Sequence, residues 1–474
     1  MVFSASDLYG ISPILSVSIT ALVALIVKSV KRNSETAILV VGIVGILVSI
    51  GFSVVTFSLS TTAFNDMVLV GGYASFFDVI FLAAGLLTFL LSDSYLKKEN
   101  IHFGEFYVLV LLAVAGMMLM GSSADLITLF LGVELMSVCF YVLAGFMRTK
   151  LSSNEAALKY FLLGAFATGF LLYGIALIYG TTGTTNLLRI ASVHVGESAR
   201  TLYNVGFGLL LIGLAFKVAA VPFHMWAPDV YEGSPTTVAA LMSTGGKSAA
   251  FAASVLVFSI PIAQHDEHFK LILAVLAASS MVVGNLFGLS QTNLKRMLAY
   301  SSIAHAGYML IGVASGQPLG EQGILFYLVS YTLTNLGAFG VISILEKESG
   351  KNVSYEEYAG LGTRRPAIAA LLSMFMFSLT GIPPFAGFVG KYYLFTSAVQ
   401  SGMTWLAILG VLTSLLSAYY YLRVVVYMYF RDSAEAPEAG TPRLAAFSVM
   451  LSAAGIILFG ILPSLILNVT QLLF

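Results

Sequence analysis

Charge is scarce in this chain. Of 474 residues only 10% are Asp, Glu, Lys or Arg, against roughly 25% in a soluble domain, and 58% are apolar. Too few polar side chains exist to clothe a protein of this size in water, which excludes a soluble globular fold. Net charge is absent as well. Lys plus Arg number 23 and Asp plus Glu number 23, so no field of either sign recruits nucleic acid. Cysteine occurs once, at Cys139, which excludes an internal disulfide and a cysteine-held iron–sulfur cluster. Electron transfer, where it occurs, belongs to another polypeptide. A cleavable leader is not expected either. The apolar run from about Ile11 is preceded only by Asp7, and the basic residues Lys28, Lys31 and Arg32 follow it, the reverse of a signal peptide's order.

Long apolar runs are plentiful. A hydrocarbon core needs ~20 apolar residues per helix, and runs of that size fall at 9–28, 36–58, 70–93, 104–120, 124–146, 155–180, 203–225, 236–260, 269–289, 296–315, 321–346, 366–400, 403–430 and 443–468. The expected fold is an all-α integral membrane protein with about 14 transmembrane helices. The longest polar connections, 185–202, 347–365 and 431–442, are too short for a domain of their own. Connections after odd-numbered helices carry Lys28, Lys31, Arg32, Lys97, Lys98, Arg148, Lys150, Lys295, Arg296, Lys347, Lys351, Arg364, Arg365, Arg431 and Arg443, with Arg423 near its helix end, 16 in all. The other side carries three: Arg189, Arg200 and Lys270. Positive charge collects on the cytoplasmic side, so both termini are expected on the outer side of a bacterial inner membrane.

The remaining four of the 23 basic residues, Lys159, Lys217, Lys247 and Lys391, fall inside predicted helices. A charge at the bilayer centre costs about 2.5–3.5 kcal/mol on insertion scales, so it faces a partner or internal water. Glu134 and His305 are embedded too. Glu134, Lys217, Lys247, His305 and Lys391 therefore form a string of titratable groups at membrane depth, the chemistry a proton relay needs. Burial disfavours a lysine's charge and a nearby carboxylate restores it, while histidine titrates near neutrality unaided. The competing reading for the lysines and Glu134 is a set of structural ion pairs, and for His305 a histidine satisfied by Ser301 or Ser302. Lys159 is a weaker candidate: it follows Glu155 by four residues, the spacing of a helix-surface pair, and Ser152 with Glu155 reads as a capping box. Asp78 and Asp125 lie nearer span ends and read equally well as interfacial acids.

Two spans also carry internal breaks. Pro222 follows Lys217 by five residues, and Gly381, Pro383 and Pro384 precede Lys391. Proline frees carbonyls that hydrocarbon cannot satisfy. Broken, charge-bearing helices in both halves of a chain are a trace of inverted-repeat transporters.

The strings NEAALKYFLLGAFATGFLLYGIALIYG (154–180), GLAFKVAAVPFHMWAPDVYEGSPTTVAALMSTGGKSAAF (213–251), NLKRMLAYSSIAHAGYMLIG (293–312) and GIPPFAGFVGKYYLF (381–395) resemble the antiporter-like proton-pumping membrane subunits of respiratory complex I. The resemblance runs from about residue 70 to 430. It implies two inverted five-helix repeats with broken helices 7 and 12: N-terminal helices in 1–120, a first repeat in 104–260 (helices 4–8), a second in 269–430 (helices 9–13), and a last helix at 443–468. It implies that Glu134 is the fifth-helix glutamate partnering the seventh-helix Lys217, that Lys247 is the connecting lysine, and that Lys391 lies near the exit. His305 and Lys159 fall on motif positions with less defined roles. It further implies no cofactor or metal in this chain, with NADH, FMN, iron–sulfur clusters and quinone in other subunits. The implied partners are other membrane-arm subunits, neighbouring antiporter-like subunits among them, and the lipid bilayer. A cation/proton antiporter subunit of the Mrp type shares this repeat and is the alternative function.

Overall fold

The computed structural model describes all residues except 1–3, 31–33, 102, 264–266, 348–352, 433–440 and 474. Lys31, Arg32 and Lys351 of the charge count lie outside the described residues. The spans are α1 (Ser12–Val30), α2 (Glu35–Thr56), α3 (Gly72–Lys98), α4 (Glu105–Gly121), α5 (Leu126–Ala144), α6 (Leu151–Thr182), α7a (Glu197–Val218) with α7b (Trp226–Gly233), α8a (Thr236–Leu241) with α8b (Lys247–Ala263), α9 (Glu267–Leu289), α10 (Leu294–Ser315), α11 (Pro318–Leu345), α12a (Pro366–Thr380) with α12b (Ala386–Gln400), α13 (Thr404–Phe430) and α14 (Arg443–Ile461). Twelve described helices are long and apolar enough to cross a membrane. The shorter α4 and the two halves of α12 make up the expected fourteen spans. The protein is an integral multi-pass membrane protein.

Several features escaped the apolar pattern because they are short. Residues 61–70 form a two-stranded antiparallel hairpin, β1 (Thr61–Ala63) and β2 (Val68–Val70). Its turn is tied down where Asp7 accepts from the Phe64 N–H at 3.1 Å and Asn186 donates to the Asp66 carbonyl at 2.7 Å. The connection 185–202 holds a helical turn and a half, Leu187–Ser192, capped by Asn186. Ser152 lies within α6, and Lys150, the residue before that helix, makes no side-chain cap bond. The expected capping box is therefore not formed.

Helix order alternates across the membrane, and polar end contacts sort into two faces. On one, Lys150 pairs with Glu99 at 2.8 Å and Arg296 with Asp229 and Glu232 at 2.7 and 2.8 Å. On the other, Arg189 lies 3.7 Å from Asp66. Between them, small residues bring helices together, as expected where packing replaces hydrophobic drive. A methyl group added at Gly174 of α6 would lie 2.8 Å from the Gly206 carbonyl oxygen of α7a, and one at Gly307 of α10 would lie 2.7 Å from that of Ala277 in α9. The central helices α10 and α11 are enclosed almost throughout. By contrast α1, α2 and α6 turn large apolar side chains outward, among them Ile26, Val54, Leu162 and Phe166. Those faces suit lipid or another membrane subunit.

Candidate functional site

The embedded charges lie where helical hydrogen bonding is interrupted. α7a ends one residue after Lys217, because Ala219 takes a left-handed conformation at φ 59°. Freed groups at this break find partners: Trp226 Nε1 donates to the Phe216 carbonyl and Ser280 Oγ accepts from the Val221 N–H, both at 2.9 Å. α12a ends at Gly381, φ 88°. Across that break Lys391 Nζ donates to the carbonyls of Leu379 and Thr380 at 2.9 and 3.0 Å and to Ser414 Oγ at 2.7 Å. An ammonium on the last carbonyls of a helix is also favoured by the helix dipole. α8a and α8b are joined by a single π-helical turn, Met242–Gly246, directly before Lys247. Such bulges are frequent at functional sites. The span prediction gave no hint of this one.

Lys217, Lys247, His305 and Lys391 are all buried. Lys217 Nζ donates to Ser137 Oγ of α5 at 2.7 Å and lies over the rings of Phe216 and Tyr141. The expected direct pair with Glu134 is absent: among the described residues no carboxylate lies within 4.0 Å of Lys217, Lys247 or Lys391. Glu134 is half-buried and accepts instead from Thr168 Oγ1 of α6 at 2.9 Å. Its charge still acts on Lys217 from beyond contact distance.

Lys247 Nζ donates to both the carbonyl and the Oγ of Ser302. His305, one turn further along α10, does not use Ser301 or Ser302. Its Nδ1 meets Tyr327 Oη of α11 and its Nε2 meets Tyr421 Oη of α13 at 3.0 Å. Ser301 reaches the same network through Tyr421. Tyr308 fills the remaining gap: its ring meets the His305 ring edge-on with centroids 5.5 Å apart, and Lys391 Nζ stands 4.9 Å from its centroid. Sequence reasoning found the lysines and the histidine. It missed Ser137, Thr168, Ser302, Tyr308, Tyr327, Ser414 and Tyr421, which hold them.

Lys159 stands apart from this string. Its Nζ lies 2.7 Å from both Glu155 and Asp229, and its side chain is 42% exposed. That is the local ion pair its spacing suggested. Asp125 accepts from the Ile127 N–H at 2.8 Å and from Thr185 Oγ1 at 2.7 Å, and so caps α5. Asp78 is buried with one carboxylate oxygen unpartnered. Among the described residues no group of three or more His, Cys, Asp or Glu side chains is arranged to hold a metal ion.

The arrangement is thus a set of buried titratable side chains, each held by hydroxyls, carbonyls or aromatic rings of neighbouring helices. Residues 123–417, which contain all of it except Tyr421, match a protein family described as NADH:quinone oxidoreductase/Mrp antiporter, transmembrane. The chain belongs to that family. NADH-quinone oxidoreductase subunit N of Trichlorobacter lovleyi is 48% identical over 474 residues, covering 99% of this chain and 97% of that protein. Subunit N 1 of Chloroherpeton thalassium is 47% identical over 98% of each chain. A chain in respiratory complex I from Thermus thermophilus with bound aureothin superposes with a TM-score of 0.84 at 37% identity, covering 96% of this chain and 98% of its own. A chain of the Mrp complex from a Dietzia species superposes with a TM-score of 0.85 at 22% identity, covering 98% of this chain and 97% of its own, a likeness of fold. This member of the NADH:quinone oxidoreductase/Mrp antiporter family carries a lysine, Lys391, in its broken twelfth span.

Proposed function

We propose that this chain is a proton-translocating membrane-arm subunit of an NADH:quinone oxidoreductase. It moves protons outward while electrons pass from NADH through FMN and iron–sulfur clusters to quinone in other subunits, and itself takes no part in redox chemistry. The observation that carries this reading is that three buried lysines, Lys217, Lys247 and Lys391, face hydroxyls and carbonyls with no acid in contact among the described residues. An ion-pair lock between helices would put a carboxylate against each of them. Polar ligands without a fixed counter-ion let an amine hold a proton and give it up. The family and its 47–48% identical relatives point the same way.

The repeats follow the breaks. The first unit is 104–260, α4 to α8, and the second 269–430, α9 to α13, flanked by N-terminal helices within 1–120 and a last helix in 443–468. The face rich in Lys and Arg is the cytoplasmic one, which puts both termini outside. The half-buried Glu134 and the outward apolar side chains of α6 suit a neighbouring membrane-arm subunit.

A shift in that neighbour drives Glu134 between two positions, one on Thr168 and one against Lys217. A unit charge pair at 4 Å is worth about 4 kcal/mol at an effective dielectric of 20. Engaged, Glu134 stabilises the protonated Lys217. Withdrawn to Thr168, it leaves Lys217 to release its proton through water to Lys247, from which His305 and Lys391 conduct it outward. Lys217→Ala tests this in the assembled complex, as does Glu134→Ala. Both are expected to lower proton pumping and coupled quinone reduction strongly while assembly survives, and normal pumping from Lys217→Ala overturns the assignment. The family's description, which also names the Mrp antiporter, supports a second reading as a cation/proton antiporter. Sodium-dependent transport without NADH or quinone would establish that one instead.

A further inference from the structure

A second buried group of charges plays no part in that path. At the start of α10, Lys295 Nζ donates to the Ser234 carbonyl at 2.9 Å and lies 3.9 Å from Glu346 Oε1, just past the end of α11. The two side chains are 5% and 1% exposed. The second carboxylate oxygen of Glu346 accepts from Thr236 Oγ1, the first residue of α8a. Lys98, the last residue of α3, donates to the carbonyls of Ser343 and Glu346. Four helix ends thus meet around Glu346 at the cytoplasmic face, with Lys295 and Thr236 on its carboxylate and Lys98 on its backbone carbonyl. A carboxylate this deep is costly unless function or a strong partner retains it, and its partner Lys295 stands at a long 3.9 Å.

Lys295, though buried, also borders a pocket. With Lys159, Asp229, Glu232 and Arg296 it lines a polar pocket of about 390 Å³. On the inner side of Glu346, polar groups continue toward Lys247. Thr237 Oγ1 is buried without a hydrogen-bond partner. Further along the same span Ser243 Oγ, in the π-turn, accepts from Asn335 Nδ2 at 2.8 Å, and Asn335 also donates to Tyr331 Oη at 3.1 Å. Asn335 Oδ1 is unpartnered. Tyr331 interacts in turn with Ser302, which accepts from Lys247. Thr237 and Ser243 are six residues apart, about 9 Å of helix. Unpartnered polar atoms at both ends of that gap suit bridging water, which occupies buried sites where polar groups await partners.

We propose that Glu346 is the proton-uptake group of this subunit, with Lys295 as its gate. The inference rests on the proton-translocation reading above. A proton from water in the pocket binds the Glu346 carboxylate and frees Lys295 to turn toward Glu232. The proton then passes through water held by Thr237, Asn335 and Ser302 to the neutral amine of Lys247. Glu346 returns to its anionic form and recaptures Lys295. The pair therefore keeps the relay closed to the cytoplasm except when a proton is being taken in.

The test compares Glu346→Gln with Glu346→Asp in the complete complex reconstituted in vesicles. The amide keeps the size of the side chain and an acceptor for Thr236 but cannot carry a proton, whereas aspartate can. Pumping is expected to fall at least about tenfold in Glu346→Gln, as losing a positioned proton-transfer group does, with NADH oxidation by a soluble electron acceptor unchanged. Glu346→Asp recovers part of the loss, and infrared difference spectra during turnover show a carboxylic-acid band that is absent in Gln and shifted in Asp. A helix clasp gives the opposite order, with Gln tolerated better than Asp, and that result overturns the assignment. So does normal pumping in Glu346→Gln. If Lys217→Ala abolishes pumping while Glu346→Gln pumps normally, only the uptake assignment fails. If both pump normally, the translocation reading fails with it. Should Glu346→Gln not assemble, the infrared band in Glu346→Asp decides, and an unshifted band excludes Glu346.

Discussion

Lys217 donates to Ser137 at 2.7 Å, and Ser137 stands three residues beyond Glu134 on the same helix. The serine thus holds the position next to the amine while the acid rests on Thr168 at 2.9 Å. Ser137→Ala removes that hydroxyl. A hydrogen bond to a charged group is worth about 1.5–3 kcal/mol, so pumping is expected to fall roughly tenfold or more with assembly intact. Ser137→Thr, which keeps the hydroxyl, is expected to retain most of the rate. Proton uptake and release by reconstituted vesicles checks both.

His305 is held between two phenols on different helices, Tyr327 of α11 and Tyr421 of α13. Tyr327→Phe and Tyr421→Phe each leave one ring nitrogen without its partner, at about 1–3 kcal/mol for a buried group. Each is expected to slow pumping several-fold. The double substitution is expected to cost less than the product of the singles, because both act on one imidazole. Strictly multiplicative losses measured in a double-mutant cycle would contradict a shared role.

Gly381 takes φ 88°, and a methyl group there would lie 3.0 Å from Lys391 Cδ. Gly381→Ala is therefore expected to cost about 1–2 kcal/mol for the left-handed backbone. It also pushes Lys391 off the carbonyls of Leu379 and Thr380. Thermal unfolding of the purified complex reads the first effect and the pumping rate the second. A lowered melting temperature with an unchanged rate would show that the placement of Lys391 is unimportant.

Lys159 belongs to an exposed ion cluster with Glu155 and Asp229. Surface pairs of this kind are worth about 0–1 kcal/mol. Lys159→Ala is expected to keep pumping within about fivefold of the parent at saturating quinone, the rate equivalent of that energy. A loss as deep as that of Lys217→Ala would bring Lys159 into the relay.

The fourteen spans were legible because apolar runs of membrane length tolerate few alternative readings. The breaks were legible from Pro222 and from Gly381 with Pro383 and Pro384. The buried lysines were legible because a charge in hydrocarbon is conspicuous. What holds them was not. Ser137, Thr168 and Ser302 are ordinary small residues of a membrane helix, and Tyr327 and Tyr421 look like core aromatics until the fold turns them onto one imidazole. Glu346 sits at a span end, where acids are common, so its burial depends on the convergence of α3, α8a and α10. The π-turn before Lys247 left no trace in the apolar run 236–260. Glu134 shows the reverse: the resemblance put it against Lys217, whereas the hydroxyl of Thr168 offers a competing partner in a different helix.

The most direct measurement is proton translocation by a complex carrying Lys247→Met, a side chain of similar length with no proton to give. Lys247 is held by Ser302 of α10, the helix that carries His305 one turn further on. The expected result is an assembled complex whose redox arm still oxidises NADH but whose vesicles acidify little or not at all per quinone reduced. Protons moved at the parent ratio by that complex would contradict a path through this subunit's buried amines.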